Sequence, residues 1–117
     1  MATTKPVVLH IDTTGPIARV AIRQARKPLA VLTWRSQGAS ELLVKKIDTM
    51  LRKTRLTIGQ LTAIAVNDQT GSFTGTRVGV TVANTLGHLL GIPVNGKKPP
   101  IAINYGVPYK VRLKQRA

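Results

Sequence analysis

The chain has 117 residues, 43% of them apolar, no cysteine, and 18 Lys and Arg against four acids for a net charge of +14. Such a length makes one domain, able to bury about two-thirds of the surface its unfolded chain exposes. The lack of cysteine excludes disulfides and thiolate metal sites, no apolar run approaches the roughly 18 residues of a membrane span, and the start lacks the apolar core of a signal peptide. A cytoplasmic protein is expected, without a membrane partner. The charge balance favours polyanions, nucleic acid above all. Four aromatic residues, Trp34, Phe73, Tyr105 and Tyr109, offer no obvious platform for stacking single-stranded bases.

In chain order, Val7-Val8-Leu9-His10-Ile11 is an apolar run rich in β-branched residues, closed by Asp12-Thr13-Thr14-Gly15-Pro16. It reads as a buried strand and a turn. Ile17 to Ile22 puts Ala18, Val20 and Ile22 on one face and Arg19, Ala21 and Arg23 on the other, a second strand. Ala25-Arg26-Lys27-Pro28 connects it to a third, Leu29 to Trp34, and this short spacing predicts an antiparallel meander. Ser40-Glu41 supplies an N-cap hydroxyl and an acid in a first helical turn. Leu43, Ile47, Met50, Leu51 and Thr54 then recur at threes and fours between Lys45, Lys46, Arg52 and Lys53, predicting an amphipathic helix of about four turns. Thr57-Ile58-Gly59-Gln60 matches a capping box and predicts a helical turn before a fourth strand, Ala63 to Val66.

The stretch from Asn67 to Gly79 follows that strand and opens a helical pattern running to about Leu90. Gly71, Gly75, Gly79, Ala83, Gly87 and Gly91 recur every fourth position, and such a spacing stays on one side of a helix, drifting roughly 40° per step. Each glycine inside a helix costs up to about 1 kcal/mol relative to alanine, so the stripe predicts close approach of another backbone. Packing together with partner contact is preferred here over an anion cradle at the helix start. The stretch lacks the Gly-Lys-Ser/Thr ending of a P-loop. Phe73 is either a buried anchor or an interface knob. Val78, Val82, Leu86 and Leu89 form the apolar seam, Gly91 ends the helix, and Ile92-Pro93-Val94 is expected as a short fifth strand.

No catalytic set is expected. Asp12 closes the first strand, yet only Glu41, Asp48 and Asp68 could accompany it in hydrolytic work, and a structural aspartate bonding its own turn is the favoured reading. His10 and His88 have no acid or serine at a suggestive spacing, and with so few carboxylates neither a metal set nor a cofactor is expected. Past Gly96 the chain carries Lys97, Lys98, Lys110, Arg112, Lys114 and Arg116 with no acid and three prolines. These six are the expected nucleic-acid contacts, neutralising phosphates without reading sequence, or else they solubilise a tail. Tyr109 to Arg116 alternates as an edge strand or a tail would.

The element order β-β-β-α-β-α-β is that of one ribonuclease-H-like lobe, the unit of the actin-like ATPase superfamily: an α/β fold with helices packed on a mixed sheet. Strand one ending in Asp12-Thr13-Thr14, Ser40-Glu41-Leu42-Leu43, the run Gly71-Ser72-Phe73-Thr74-Gly75-Thr76-Arg77-Val78-Gly79, and Leu89-Leu90-Gly91-Ile92-Pro93-Val94 resemble the TsaB family of tRNA threonylcarbamoyladenosine biosynthesis proteins over about residues 7 to 96. The family's Gly-Pro-Gly before the Ser-Phe-Thr core is Gln69-Thr70-Gly71 here, and its usual leucine before the arginine is Thr76. No counterpart of the family's second lobe is expected within these 117 residues, which are either a minimal form or a fragment. The expected organisation is a TsaB-type lobe over 1–96 and a basic, proline-containing extension over 97–117.

The resemblance implies an accessory, non-enzymatic subunit that pairs with a TsaD-like catalytic subunit. A TsaE-like ATPase joins that pair, and tRNA meets the complex. It implies that helices Glu41 to Thr54 and Thr74 to Leu90 form a bundle with the partner or with a second copy. The partner-binding residues would be Leu43, Ile47, Ser72, Phe73, Thr74, Gly75, Arg77, Gly79 and Ala83. The alternative is a small basic RNA- or ribosome-associated protein with no TsaD partner.

Overall fold

Strands β1 (Val7–Asp12), β2 (Ile17–Gln24) and β3 (Lys27–Arg35) form the expected antiparallel meander. A fourth strand, β4 (Ala63–Val66), pairs parallel to β1, giving a mixed sheet of order β3-β2-β1-β4. The computed structural model describes residues 5–35, 40–69 and 73–103. Helix α1 (Ser40–Thr54) carries the chain from β3 to β4, a 3-10 turn at Ile58–Gln60 precedes β4, and helix α2 (Phe73–Leu90) follows it. The Gln60 side chain accepts the Thr57 N–H at 2.8 Å, as the capping box requires.

Strand alternation decides which side is wet. Val7, Leu9 and Ile11 of β1, Ala18, Val20 and Ile22 of β2, and Ile64 and Val66 of β4 are buried. They meet Leu43, Ile47, Met50 and Leu51 of α1 and Val80, Val82 and Ala83 of α2 in one core. Each fully buried large aliphatic side chain contributes about 1.5 to 3 kcal/mol. Trp34 of β3 also points to this side, with the Lys46 ammonium 5.7 Å from its ring centroid. Both helices therefore lie on one face of the sheet, and no described helix lies on the other.

The small-residue edge of α2 is what brings it close to the sheet. A Cβ added at Gly79 would stand 2.5 Å from the Thr13 hydroxyl and 3.4 Å from Ile11. The Thr13 hydroxyl, itself buried, donates to the Gly75 carbonyl one turn earlier. At Gly87 a Cβ would meet Val94 at 2.6 Å and Pro99 at 3.2 Å. The expectation of close backbone approach is thus met within the chain's own fold, at its sheet and its C-terminal segment.

The expected fifth strand is reduced to single bridges. Val94 pairs parallel with Ile64 and antiparallel with Lys97, around an Asn95-Gly96 turn in which both residues take positive φ, 52° and 76°. That is the two-residue hairpin loop Asn-Gly favours. The Asn95 N–H still donates to the Ile64 carbonyl at 2.8 Å, and beyond that bond its side chain takes over from the backbone along β4. The Asn95 amide accepts the Val66 N–H at 2.8 Å and donates to the Val66 carbonyl at 2.9 Å. Two departures accompany this. Leu89, expected in the apolar seam, is 73% exposed, and packing continues past residue 96, with Ile101 held to Asn84 by two hydrogen bonds of 2.8 and 3.0 Å.

Both helices end in the same way. Ile92 N–H reaches the Gly87 carbonyl at 3.0 Å over Gly91 at φ 67°, and Leu56 N–H reaches the Leu51 carbonyl at 3.0 Å over Arg55 at φ 60°. Arg55 is therefore a left-handed cap without a glycine. Arg55→Gly should raise stability by about 1 kcal/mol by removing that penalty, read as a higher urea midpoint at unchanged slope. Gly79→Ala should lower stability by about 1 to 3 kcal/mol, because the new methyl displaces the Thr13 hydroxyl from its bond to Gly75. A Gly79→Ala midpoint equal to the parent's would show that α2 does not depend on that contact.

Candidate functional site

Three regions carry the candidate residues. The first is the helix pair. Leu43 is 1% exposed, Ile47 3% and Ala83 0%, and Gly75 and Gly79 are buried as well. All five are buried within the chain's own fold: the small-residue edge of α2 packs on β1 and β4, and Ile47 also lines the groove between the helices. Thr74 and Arg77 lie exposed on the outer side of α2. Ser72 and the Phe73 side chain lie outside the described residues.

The helices nonetheless present an apolar outer surface. Val44 of α1 and Ile58 of the 3-10 turn are 53% and 41% exposed. With Leu51, Leu56 and Leu86 they line a groove of about 290 Å³ whose rim carries Asp48 and Arg52, paired at 3.0 Å. Leu89, one turn on from Leu86, extends the apolar strip along α2. Val44 had a legible signal, an apolar residue among Lys45, Lys46 and Asp48 off the main stripe of α1. Ile58 had none, because a three-residue turn is too short to show a face.

The second region is the turn after β1. One Asp12 carboxylate oxygen accepts the Thr14 N–H at 3.0 Å and the Thr14 hydroxyl at 2.7 Å, and the other accepts the Asn67 amide at 3.2 Å. Burial alone would raise the Asp12 carboxyl, but the Thr14 and Asn67 hydrogen bonds and the Arg19 charge outweigh it and hold the group below the usual carboxylate range. Asp12 thus bonds its own turn, as the sequence suggests for it. His10, Asp12, Arg19 and Asn67 line a shallow cleft of about 260 Å³ on the face of the sheet away from the helices. Among the described residues no three His, Asp or Glu side chains come together as metal ligands.

The third region is basic. Lys97 and Lys98 are exposed beside His88 in a cleft of about 420 Å³ at the end of α2. Lys110, Arg112, Lys114 and Arg116 lie outside the described residues. No described helix is long and apolar enough to cross a membrane.

His10 gives the cleft at Asp12 a pH signature. Partial burial first, and then the charges of Arg23 and Arg19, push its imidazole below the ordinary value near 6.5. The unfolded chain then takes up a proton more readily than the folded one. Stability should therefore be fully present above that value and fall as pH drops through it, with a second loss in the acid range as Asp12 titrates. His10→Gln should flatten the dependence between about pH 7 and 5. An unaltered slope in thermal melts across that window would count against the assignment.

Comparison with known proteins places this geometry. The family model described as TsaD, tRNA N6-adenosine threonylcarbamoyltransferase, matches residues 35–97, more than half of the chain. Uncharacterized proteins of Mycobacterium tuberculosis and Mycobacterium bovis are each 38% identical over 93 residues, covering 76% of this chain and 44% of theirs. The chain thus spans less than half the length of these curated relatives. Among solved structures, YeaZ from Pseudomonas aeruginosa superposes with a TM-score of 0.71 at 21% identity, over 85% of this chain and 44% of that one. A second, described as an uncharacterized protein with similarity to peptidase YeaZ from Pseudomonas aeruginosa, has a TM-score of 0.71 at 22% identity, over 76% of this chain and 41% of its own. The shared fold is the ribonuclease-H-like lobe, and with the matched span running from the end of β3 through both helices to the Asn95-Gly96 turn, the chain belongs to the TsaD family of tRNA threonylcarbamoyladenosine proteins.

Proposed function

We propose that this chain is a non-catalytic, TsaB-type subunit of the tRNA threonylcarbamoyladenosine machinery, pairing through α1 and α2 with a TsaD-like catalytic subunit. The observation that carries this reading is the apolar groove between the helices, with Val44 and Ile58 exposed on its walls. A helix of the partner laid into it would cover these side chains, while the Asp48–Arg52 pair at the rim sets orientation more than affinity. The partner meets the outer side of the helices, including Thr74 and Arg77, and not the glycine edge. A second copy of the chain is a competing occupant of the same groove.

The state of Asp12 supports the non-catalytic part. Its oxygens are engaged by Thr14 and Asn67, so the carboxylate stabilises the turn that leads into β2. In this reading the chain holds the catalytic subunit in its working arrangement, a TsaE-like ATPase acts on the pair, and tRNA is bound by the whole complex in the cytoplasm. The +14 charge keeps the chain attractive to RNA throughout. Val44→Asp combined with Ile58→Asp should leave the melting temperature near the parent value, since both side chains are exposed, and should weaken co-purification with a TsaD-like subunit by about tenfold or more. Undiminished pairing by that folded variant would overturn the interface.

A further inference from the structure

The helices cover one face of the sheet, and the chemistry of the other face is distinct. Arg19 and Arg23 project from β2 and Arg35 from the end of β3, all exposed. In register, Arg35 sits opposite Ile17 and Asp12 opposite Arg19, while Val8, His10, Ala21, Val31, Ala63 and Ala65 make the floor. Four residues of strand separate Arg19 from Arg23 by about 13 Å, and adding Arg35 extends the arginine band to roughly 20 Å. The Asp12 carboxylate is the one acid on this face among the described residues, and it is already bonded to Thr14 and Asn67.

We propose that this sheet face, on which no described helix lies, is a binding surface for the phosphate backbone of RNA, with Arg19, Arg23 and Arg35 as its contacts. Charge complementarity selects that occupant. A second copy docked face to face would set arginine against arginine, and the segment 104–117 carries Lys110, Arg112, Lys114 and Arg116 with no acid. A protein partner with an apolar footprint would have to bury three arginines interleaved with the apolar rows, leaving them unpaired at a desolvation cost. A nucleic-acid strand instead offers a phosphate to each guanidinium, and Ala21, Ala63 and Ala65 leave room for it between the larger Ile17 and Val31. No Phe, Tyr or Trp side chain stands on this face among the described residues, so binding is electrostatic and indifferent to base sequence. Burial first, and then the charges of Arg23 and Arg19, disfavour the protonated form of His10 on this face.

This surface lies on the opposite side of the sheet from the helix groove, so the inference stands apart from the pairing with a catalytic subunit. The experiment is fluorescence anisotropy of the full chain with labelled bulk tRNA and with polyuridylate over a salt series. Replacing Arg19, Arg23 and Arg35 together by Gln should weaken binding by about tenfold or more and lower the slope of log K against log salt by roughly two to three. Lys at the three positions should restore most of that slope. A control with Lys45→Gln, Arg52→Gln and Lys53→Gln removes the same charge from the exposed side of α1 and should have a much smaller effect. Equal losses in the two triple variants would reduce binding to net charge and overturn the proposal, as would polyglutamate binding as tightly as RNA and with the same dependence on the three arginines. In the unaltered protein, tRNA should shield Arg19, Arg23 and Arg35 from phenylglyoxal while leaving Arg52 reactive. Equal shielding of all four would also overturn it, whether or not the variants fold.

Discussion

The structure depends on how closely α2 lies on the end of β1. Gly79 leaves room for the Thr13 hydroxyl, which donates to the Gly75 carbonyl, and Ala83 sits fully buried on the same edge. A threonine just past a strand end thereby bonds a helix backbone across the layer, and no other residue type combines its size with its donor. The approach places Val80 and Val82 deep enough to meet the core of β1, β2 and α1. Removal of side-chain bulk here serves the fold itself.

Because both helices are drawn to one face, the molecule is two-sided. On the helix side the core is closed from within, and what remains for a partner is the shallow apolar groove between α1 and the Leu86 side of α2. On the other side, where no described helix lies, the sheet carries apolar side chains interspersed with Arg19, Arg23 and Arg35. Antiparallel sheets tolerate one wet face, and three of these four strands form such a meander. The parallel strand β4 has its edge covered by Val94 and by the Asn95 amide, which bonds the Val66 backbone in place of a strand. An edge closed by a side chain exposes fewer unpaired backbone groups to another chain.

Electrostatics follow the same division. The few acids are held in local roles: Asp48 pairs with Arg52 on α1, and Asp12 bonds Thr14 and Asn67. The excess positive charge is left to exposed side chains, among them Arg19, Arg23 and Arg35 on the sheet face, Lys45 and Lys53 on α1, and Lys97 and Lys98 beyond α2. Lowered basicity at His10 follows first from its partial burial and then from the charges of Arg23 and Arg19.

The elements and the core were legible from the chain alone. Period-two alternation in β1 and β2 and period-three-and-four recurrence in α1 each name their own buried face, and Asp12 in Asp-Thr-Thr announces a turn-bonding aspartate. The glycine edge of α2 announced a close neighbour equally plainly. Its identity was decided by tertiary structure: periodicity reports that a face is covered but not by what, and a sheet of one's own satisfies a glycine stripe as well as a partner's helix. The fifth strand likewise gave way to two isolated bridges at Val94, because the Asn95-Gly96 turn reverses the chain before a ladder can form. The groove through Val44 and Ile58 and the basic face through Arg19, Arg23 and Arg35 arise from residues distant in sequence. Local pattern states which side of an element faces inward, and only the folded layers decide which outward sides join into one surface.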